Sequence, residues 1–324
     1  MSRIHEALKK AEEERSAAPT TEVIPAASGA ANEREAAIAA PVWPERSSST
    51  ANETAPAQKA VASSLEHVRF EELLARCTHP TWHMDPNTNV FANPDLSPHG
   101  AEQFRTLRSR LYQLRSAQSL RTLLVTSSVP TEGKTFVTSN LAQAIVRQPD
   151  RRALIIDADL RRPRLHVPFD APLAPGLSDY LRGEVDEAAI IQQGQEGNLC
   201  LIPGGAEVSN PSELLSNGRL KKLLDRLAPV FDWIIIDSPP CVPVADASIL
   251  ADSCDGVLLV VRAGSTPFEV AQRACQELQT KNVIGVVLNS VEQSQMHGSH
   301  YYYGYGYGTA YTSETSDSGD RKAQ

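Results

Sequence analysis

The amino-acid sequence predicts an α/β protein whose mostly parallel sheet is flanked by helices. Two observations support this fold class. From residue 121 onwards, short apolar runs alternate with segments of helical periodicity, as expected for a series of strand–helix–strand units. The apolar runs are almost uninterrupted, which is typical of parallel strands that helices cover on both faces.

The first part of the chain differs in composition from the rest. Residues 1–15 predict an amphipathic helix, because their apolar side chains recur at helical spacing. A solvated helix and a docking peptide for a partner both fit this pattern, and the sequence leaves the choice open. Residues 16–64 are rich in Ala, Ser, Thr, Glu and Pro, and we expect a mostly disordered linker over residues 16–88. Within it, "SLEHVRFEELLARC" has the pattern of a short helix.

The elements of the predicted domain, residues 89–291, follow in order. A helix at "HGAEQFRTLRSRLYQLRS" precedes the strands. The predicted strands are "RTLLVTS", "RALIID", "NLCLIP", "DWIIID", "GVLLVVRA" and "VIGVVLN". Helical patterns between them include "TFVTSNLAQAIVRQ", "SELLSNGRLKKLLDRL" and "EVAQRACQELQ". The pattern ends at Asn289, and residues 292–324 are predicted to form a flexible tail.

Charge and cysteine usage exclude some classes of function. The formal net charge of −8 argues against general nucleic-acid binding. The five cysteines are scattered without CxxC spacing, which fits free thiols in a reducing compartment and predicts no metal site. No apolar run approaches the roughly 20 residues of a membrane span. The segment "MSRIHEALKK" lacks the apolar core of a secretory signal, so we expect a cytoplasmic protein without a direct membrane span.

The segment "TSSVPTEGKTF" joins the first predicted strand to a predicted helix. In a phosphate-binding loop, N–H groups at the helix N-terminus bind the anion, a lysine reaches the β- and γ-phosphates, and a hydroxyl ligates Mg²⁺. Lys134 and Thr135 supply the last two groups. The strict pattern GxxxxGK[ST] is not met, because Ser128 stands at its first glycine. The residues expected to bind nucleotide here are Ser128, Pro130, Thr131, Glu132, Gly133, Lys134, Thr135 and Phe136.

Aspartates follow two other predicted strands. Asp157 and Asp159 lie at the end of "RALIIDAD", and Asp237 ends "DWIIID". Each alone is more commonly a turn or a helix cap. Ligands bind beyond the carboxyl ends of the strands in an open parallel sheet, so these carboxylates and the phosphate loop together predict an Mg·nucleotide site. No NKxD motif for guanine is visible, which favours ATP, and Asn289 is a candidate contact to the base.

These motifs resemble those of the bacterial tyrosine kinases (BY-kinases). "LIIDADLRRP" is similar to the family's Walker A′ motif and "IIIDSPP" to its Walker B motif, within a likeness that covers about residues 96–289. The resemblance implies a protein-tyrosine kinase built on a P-loop NTPase fold of the Min/Par-like class, with ATP and Mg²⁺ as cofactors. It implies catalytic roles for Lys134, Asp157, Asp159 and Asp237, and Mg²⁺ contacts from Thr135, Asp157 and Asp237. It leaves open which aspartate is the base and which supports the metal.

The resemblance also implies an assembly and partners. Glu102, Arg105 and Arg108 match the family's ExxRxxR motif, which mediates subunit contacts in ring-shaped oligomers; an intrahelical Glu102–Arg105 pair is the alternative. The opening "MSRIHEALKKAEEER" is similar to the start of autokinases of exopolysaccharide systems. The implied partners are a transmembrane activator of the polysaccharide co-polymerase type and an opposing tyrosine phosphatase, at the inner face of the plasma membrane. Thr131 departs from the family's common "PGEGKS/T".

The tail carries most of the tyrosines of the chain. Six of the eight fall within "HYYYGYGYGTAY". By resemblance they are the autophosphorylation sites: Tyr301, Tyr302, Tyr303, Tyr305, Tyr307 and Tyr311. Intervening glycines keep such a tail extended, and each phosphate adds roughly −1.5 to −2 charges. A low-complexity segment used for association is the alternative.

Two other functions compete with the kinase. A Min/Par-like positioning ATPase shares the fold and the places of the motifs, but its signature lysine early in the loop is Val129 here. A scaffold that only senses ATP would not need the intact Lys134, Thr135 and aspartates. Formation of phosphotyrosine in Mg·ATP, with and without the tail, distinguishes the three functions.

Overall fold

The computed structural model describes residues 70–92, 98–194 and 197–291, with Pro98 described by its backbone alone. In these ranges the strands form one seven-stranded sheet in the order β3-β4-β2-β5-β1-β6-β7. All neighbours are parallel except β3 and β4. The strands are β1 (Thr122–Ser127), β2 (Ala153–Asp157), β3 (Gln192–Gln193), β4 (Leu199–Ile202), β5 (Trp233–Asp237), β6 (Gly256–Arg262) and β7 (Val283–Asn289).

Helices lie between most of the parallel strands, because parallel neighbours need a crossover connection. They are α1 (Phe70–Leu74), α2 (Pro98–Ala117), α3 (Lys134–Val146), α4 (Leu177–Arg182), α5 (Glu187–Ile190), α6 (Pro211–Leu215), α7 (Arg219–Leu227), α8 (Asp246–Ala251) and α9 (Phe268–Glu277), with a 3₁₀ turn at Val167–Phe169. No helix of the described ranges is both long and apolar enough to cross a bilayer.

The central strands β1, β2 and β5 are buried along their whole length. Their side chains alternate between two apolar clusters, one on each face of the sheet. The leucines of α7 join the first cluster, and the apolar side of α3 joins the second. The register pairs Asp157 with Asp237 at the ends of β2 and β5, so packing of the apolar faces brings these two carboxylates together.

The sequence prediction needs two corrections in the secondary structure. The pattern "SELLSNGRLKKLLDRL" forms two helices, α6 and α7, because the chain turns at Gly218, which has a φ of 77°. The antiparallel strand β3 was not predicted from the sequence, because it consists of two glutamines and has no apolar pattern. The six predicted strands are all present.

The predicted start of the domain at residue 89 also needs correction. Phe70 and Trp82 are buried, and their rings lie 5.7 Å from Phe231 and 5.2 Å from Phe169 respectively. Thr78 forms a bridge to Gln192 of β3. Residues 70–88, which the sequence analysis assigned to the linker, are therefore part of the packed domain. The predicted helix 1–15, the linker up to residue 69 and the tail 292–324 lie outside the described residues.

Candidate nucleotide-binding and catalytic site

The phosphate loop connects the end of β1 to the first residue of α3. Gly133 precedes the helix with a φ of 95° and a ψ of 24°, a conformation that favours glycine. A Cβ atom at this position would lie 2.0 Å from Nδ2 of Asn289, so the space is closed as well. The first N–H groups of α3 have no acceptor within the helix, which makes its N-terminus suitable for an anion.

Thr131, in the middle of the loop, also has a positive φ, of 69°. A β-branched L-residue is strained in this region, whereas glycine is not. This conformation gives a physical reason for the glycine that "PGEGKS/T" has at the same position. The loop of this protein therefore has a β-branched residue in a left-handed conformation, at a conformational cost.

Lys134 and Asp159 form an ion pair across the site. The Nζ atom of Lys134 lies 2.9 Å from Oδ2 of Asp159, and their side chains are 14% and 7% exposed. Burial alone would lower the pKa of Lys134, but Asp237, Asp159 and Asp157 outweigh it and raise this pKa above its ordinary value. The lysine is therefore a fixed cation at the start of α3.

Thr135 and Asp237 meet beside this pair. The hydroxyl of Thr135 donates to Oδ2 of Asp237 at 2.6 Å, whereas Oδ1 of Asp237 is buried without a hydrogen-bond partner among the described residues. Burial raises the pKa of Asp237 to about 6, against the opposing effects of Lys134 and Thr135. A buried carboxylate oxygen without a partner, next to a hydroxyl, fits the oxygen ligands that Mg²⁺ prefers.

Asp157 has a different environment from Asp159. Its two oxygens accept the backbone N–H groups of Asp159 and Leu165, at 3.2 and 2.8 Å, and the residue has no exposed surface. Burial and the nearby Asp237 raise the pKa of Asp157 well above its usual value, and the Leu165 N–H acts in the opposite direction. Asp157 thus holds the loop after β2, while Asp159 faces Lys134.

The remaining predicted nucleotide contacts lie around the loop. The amide of Asn289, at the end of β7, donates to the backbone oxygen of Glu132 at 2.9 Å. The ring of Phe136 contacts Phe104 edge-on at 5.8 Å. The Ser128 hydroxyl is buried without a partner in the described part of the chain, and Pro130 and Thr131 are exposed.

The residues of the predicted oligomer motif separate in the structure. Glu102 and Arg105 pair within α2 at 3.1 Å and are exposed. Arg108 instead donates to the backbone oxygen of Ala144 at 2.5 Å, in the last turn of α3. The cation stabilises a helix C-terminus whose carbonyl groups lack intrahelical partners. The Glu102–Arg105 pair is the intrahelical pair that the sequence offered as an alternative to a subunit contact. Arg108 contacts its own chain.

A network that the sequence analysis did not predict lies beyond Asp159. The guanidinium of Arg161 binds Asp246 through Nε at 2.7 Å and Nη2 at 3.1 Å, and the hydroxyl of Ser212 donates to the same carboxylate. Burial would raise the pKa of Asp246, but the hydrogen bonds from Arg161 and Ser212 lower it below its usual value. Arg161 therefore joins α6 and α8 to the loop after β2. Its position in "DADLRRP" was the only signal for it in the sequence.

The strand, phosphate loop and helix, with carboxylates on neighbouring strand ends, define a P-loop nucleoside triphosphatase fold. Residues 122–292 match a family model described as "Cellulose biosynthesis protein BcsQ". The chain is 33% identical over 218 residues to the tyrosine-protein kinase YwqD of Bacillus subtilis, covering 67% of this chain and 91% of that one. It is 35% identical over 211 residues to the tyrosine-protein kinase etk of Escherichia coli K12, which covers 64% of this chain and 29% of the relative.

A solved structure agrees with these relatives. The kinase domain of the Escherichia coli tyrosine kinase ETK superposes with a TM-score of 0.57 at 35% identity, over 64% of this chain and 80% of that one. The chain belongs to the bacterial tyrosine kinase family. Its match to the Escherichia coli relative is confined to less than a third of that protein.

Proposed function

We propose that the protein is an ATP-dependent protein-tyrosine autokinase that phosphorylates its own C-terminal tyrosine cluster. One observation carries this proposal: Lys134, Thr135 and the three aspartates converge at the carboxyl edge of the sheet, next to the phosphate loop. The names of the relatives support a kinase rather than a hydrolase. The tyrosine-rich tail supplies an acceptor within the same chain.

The residues present fit Mg·ATP. The N–H groups at the start of α3 and the Lys134 ammonium would bind the phosphates, and Thr135 and Asp237 would hold Mg²⁺. Bound Mg²⁺ supplies charge neutralisation for the phosphoryl group in transfer. Lys134 pairs with Asp159, so in this proposal the cation that binds phosphate is next to the carboxylate that faces the acceptor hydroxyl.

Asp159 is the better candidate for the base. A phenol has a pKa near 10, so the tyrosine arrives protonated, and a carboxylate beside its hydroxyl can accept this proton as transfer proceeds. Asp157 has both oxygens on backbone donors and is fully enclosed. Asp159 accepts one backbone N–H, that of Arg162, and uses its other oxygen for the Lys134 ammonium, and it remains slightly accessible. In this assignment Asp159 aligns the tyrosine oxygen and takes its proton, and Asp157 fixes the loop that carries Asp159.

The substrate tail would act between subunits of a ring. Glu102 and Arg105 on α2 remain exposed and able to contact a neighbour. A flexible chain reaches roughly 5–6 Å × √n, so a glycine-rich tail spans to an adjacent subunit. Several phosphates on the tail would repel one another and loosen the ring, which would make assembly depend on phosphorylation.

The biological role that we propose is regulation of exopolysaccharide polymerisation or export. The family model's description as a cellulose biosynthesis protein supports a polysaccharide system. In this role the protein lies in the cytoplasm at the inner face of the plasma membrane, held there by a transmembrane activator of the polysaccharide co-polymerase type. A tyrosine phosphatase removes the phosphates.

The test is formation of phosphotyrosine in purified protein with Mg·ATP. We compare the wild type with Lys134→Met, which removes the phosphate-binding cation, and with Lys222→Met, which removes an exposed lysine of α7. Wild type and Lys222→Met should be labelled, and Lys134→Met should not. Label in Lys134→Met with a normal unfolding transition would refute the assigned site. ATP hydrolysis without label in the wild type would favour a Min/Par-like ATPase instead.

A further inference from the structure

Glu132 places a carboxylate inside the phosphate loop, and this carboxylate is buried, with 2% of the residue's surface exposed. An anionic group next to a phosphate site opposes phosphate binding unless its charge is compensated. Both of its oxygens have donors. Oε2 accepts the backbone N–H of Val129 at 2.7 Å, within the loop itself.

The donors to the other oxygen come from a different segment. Oε1 of Glu132 accepts the backbone N–H of Arg262 at 3.3 Å and the hydroxyl of Thr266. Arg262 ends β6, and Thr266 lies in the turn before α9. The guanidinium of Arg262 also approaches the backbone oxygen of Thr131 at 3.4 Å. The Glu132 carboxylate therefore joins the phosphate loop to the loop that follows β6.

We propose that Glu132 and Thr266 are positioning residues for ATP, acting through the shape and charge of the phosphate loop rather than through contact with the nucleotide. The hydroxyl of Thr266 holds Oε1, and Val129 holds Oε2, so the carboxylate stays folded against the protein. The backbone of Glu132 is fixed in addition by the amide of Asn289. The inference rests on the proposed ATP site, and its consequence is a change in nucleotide affinity.

Removal of the Thr266 hydroxyl leaves a buried carboxylate with one donor fewer. A hydrogen bond to a charged group favours the folded arrangement of the two groups by about ten-fold or more. Without it, the less compensated charge of the Glu132 carboxylate also opposes the incoming phosphates. We expect Thr266→Val to weaken ATP binding by about ten-fold. The chemistry at saturating ATP should change less than about two-fold, because the hydroxyl contributes equally to the ground state and the transition state.

The experiment measures binding of a fluorescent ATP analogue with Mg²⁺ directly, together with KM and kcat for tyrosine phosphorylation. Thr266→Ser keeps the hydroxyl and should bind like the wild type. Ser265→Ala, a change at the exposed neighbouring position, is the matched control. Glu132→Gln removes the charge of the carboxylate to which Thr266 donates. The double variant Glu132→Gln/Thr266→Val should bind the analogue no more weakly than the weaker of the two single variants, because the two residues share one interaction.

Wild-type affinity in Thr266→Val would overturn the proposal, and so would equal losses in Thr266→Ser and Thr266→Val. Losses that multiply in the double variant would also overturn it, since they would mean independent roles. The binding readout separates this test from the kinase assignment. Intact analogue binding in a wild type that forms no phosphotyrosine would refute the proposed function and leave the positioning role open to the same comparison of variants.

Discussion

Three aspartates lie close together at the carboxyl edge of the sheet: Asp157, Asp159 and Asp237. Asp157 and Asp237 are enclosed, and within the described residues the Lys134 ammonium interacts with both of them and pairs with Asp159. Burial of this kind costs stability, because ionised carboxylates lose hydration. The arrangement is explained if a divalent cation compensates the excess of carboxylates when nucleotide binds, since clustered buried carboxylates are typical of functional sites.

The first prediction follows from the raised pKa of Asp237. A carboxyl group whose pKa is higher in the folded than in the unfolded state adds stability at low pH, and this contribution is lost as the pH rises through about 6. Asp237→Asn should therefore stabilise the nucleotide-free protein at pH 8 by on the order of 2–3 kcal/mol. The gain should shrink towards pH 5. Thermal unfolding of Asp237→Asn and of the exposed control Asp225→Asn measures it.

Nucleotide binding by Asp237→Asn should decrease, although the stability of this variant increases. Because Mg²⁺ binds the ionised carboxylate, the variant should lose Mg²⁺-dependent nucleotide binding while its stability rises. Equal stability of Asp237→Asn and wild type at pH 8 and pH 5 would contradict the raised pKa.

Asp157 and Asp159 should respond differently to the same substitution. Asp159→Asn removes the proposed base and should lower kcat by about 10²–10⁴-fold. Asp157→Asn leaves one of two backbone N–H groups without an acceptor and should cost about 1–3 kcal/mol of stability at low pH. At low pH the raised pKa of Asp157 keeps its carboxyl neutral in the folded state, so removal of a buried charge does not offset this cost. Single-turnover phosphorylation and urea unfolding of both variants measure this contrast. A loss of kcat in Asp157→Asn at normal stability, with an active Asp159→Asn, would reverse the assignment.

Thr131 gives a prediction about backbone strain. Glycine removes the strain of the positive φ, which should stabilise the folded state by about 1–2 kcal/mol. The greater conformational freedom of glycine in the unfolded chain offsets about 0.4–1 kcal/mol of this gain. Thr131→Gly should therefore raise the free energy of unfolding by about 0.5–1 kcal/mol. Urea unfolding of Thr131→Gly and Thr131→Ala measures the effect, and alanine, which keeps a Cβ atom, should not stabilise. A destabilised Thr131→Gly would show that the threonine has a compensating interaction.

At the scale of elements, α2 combines an internal and an external role. Arg108 stabilises the C-terminus of α3, whereas Glu102 and Arg105 face outwards. Arg108→Ala should cost about 1–2 kcal/mol of stability, because a helix-end carbonyl loses its cation. The double change Glu102→Ala/Arg105→Ala should cost less than about 0.5 kcal/mol, as exposed ion pairs do.

Sedimentation of the same variants tests the proposed ring. Glu102→Ala/Arg105→Ala should dissociate an oligomer without loss of stability. If Arg108→Ala dissociates it at unchanged stability instead, the internal contact of Arg108 is not its main role.

The sequence predicted the elements that carry long apolar signals and missed those that do not. The buried strands β1, β2 and β5 could be predicted because both of their faces are apolar. Strand β3 consists of two glutamines, and its pairing depends on the neighbouring β4. Residues 70–88 read as linker because their few large apolar side chains are separated by polar ones, although these few are buried.

For the whole molecule, the motifs predicted which residues meet but not how they interact. Lys134, Thr135 and the aspartates lie together as the loop and strand ends require. Two contacts join residues more than 80 positions apart: the hydrogen bond from Thr266 to Glu132 and the ion pair of Arg161 with Asp246. No local sequence pattern predicts such contacts. Such contacts depend on the strand order, which the sequence alone did not establish.

The central claim is that this site transfers phosphate to tyrosines of the tail on another subunit. The most direct measurement mixes Lys134→Met protein, which has an intact tail, with catalytically intact protein that lacks residues 292–324, in the presence of Mg·ATP. Each protein is also incubated alone, and mass spectrometry locates phosphotyrosine on each chain. We predict label on the tail of the Lys134→Met chain in the mixture and none on this tail when that protein is alone. A Lys134→Met tail that stays unlabelled in the mixture, while the wild type labels itself, would contradict transfer between subunits; an unlabelled wild type would contradict the kinase itself.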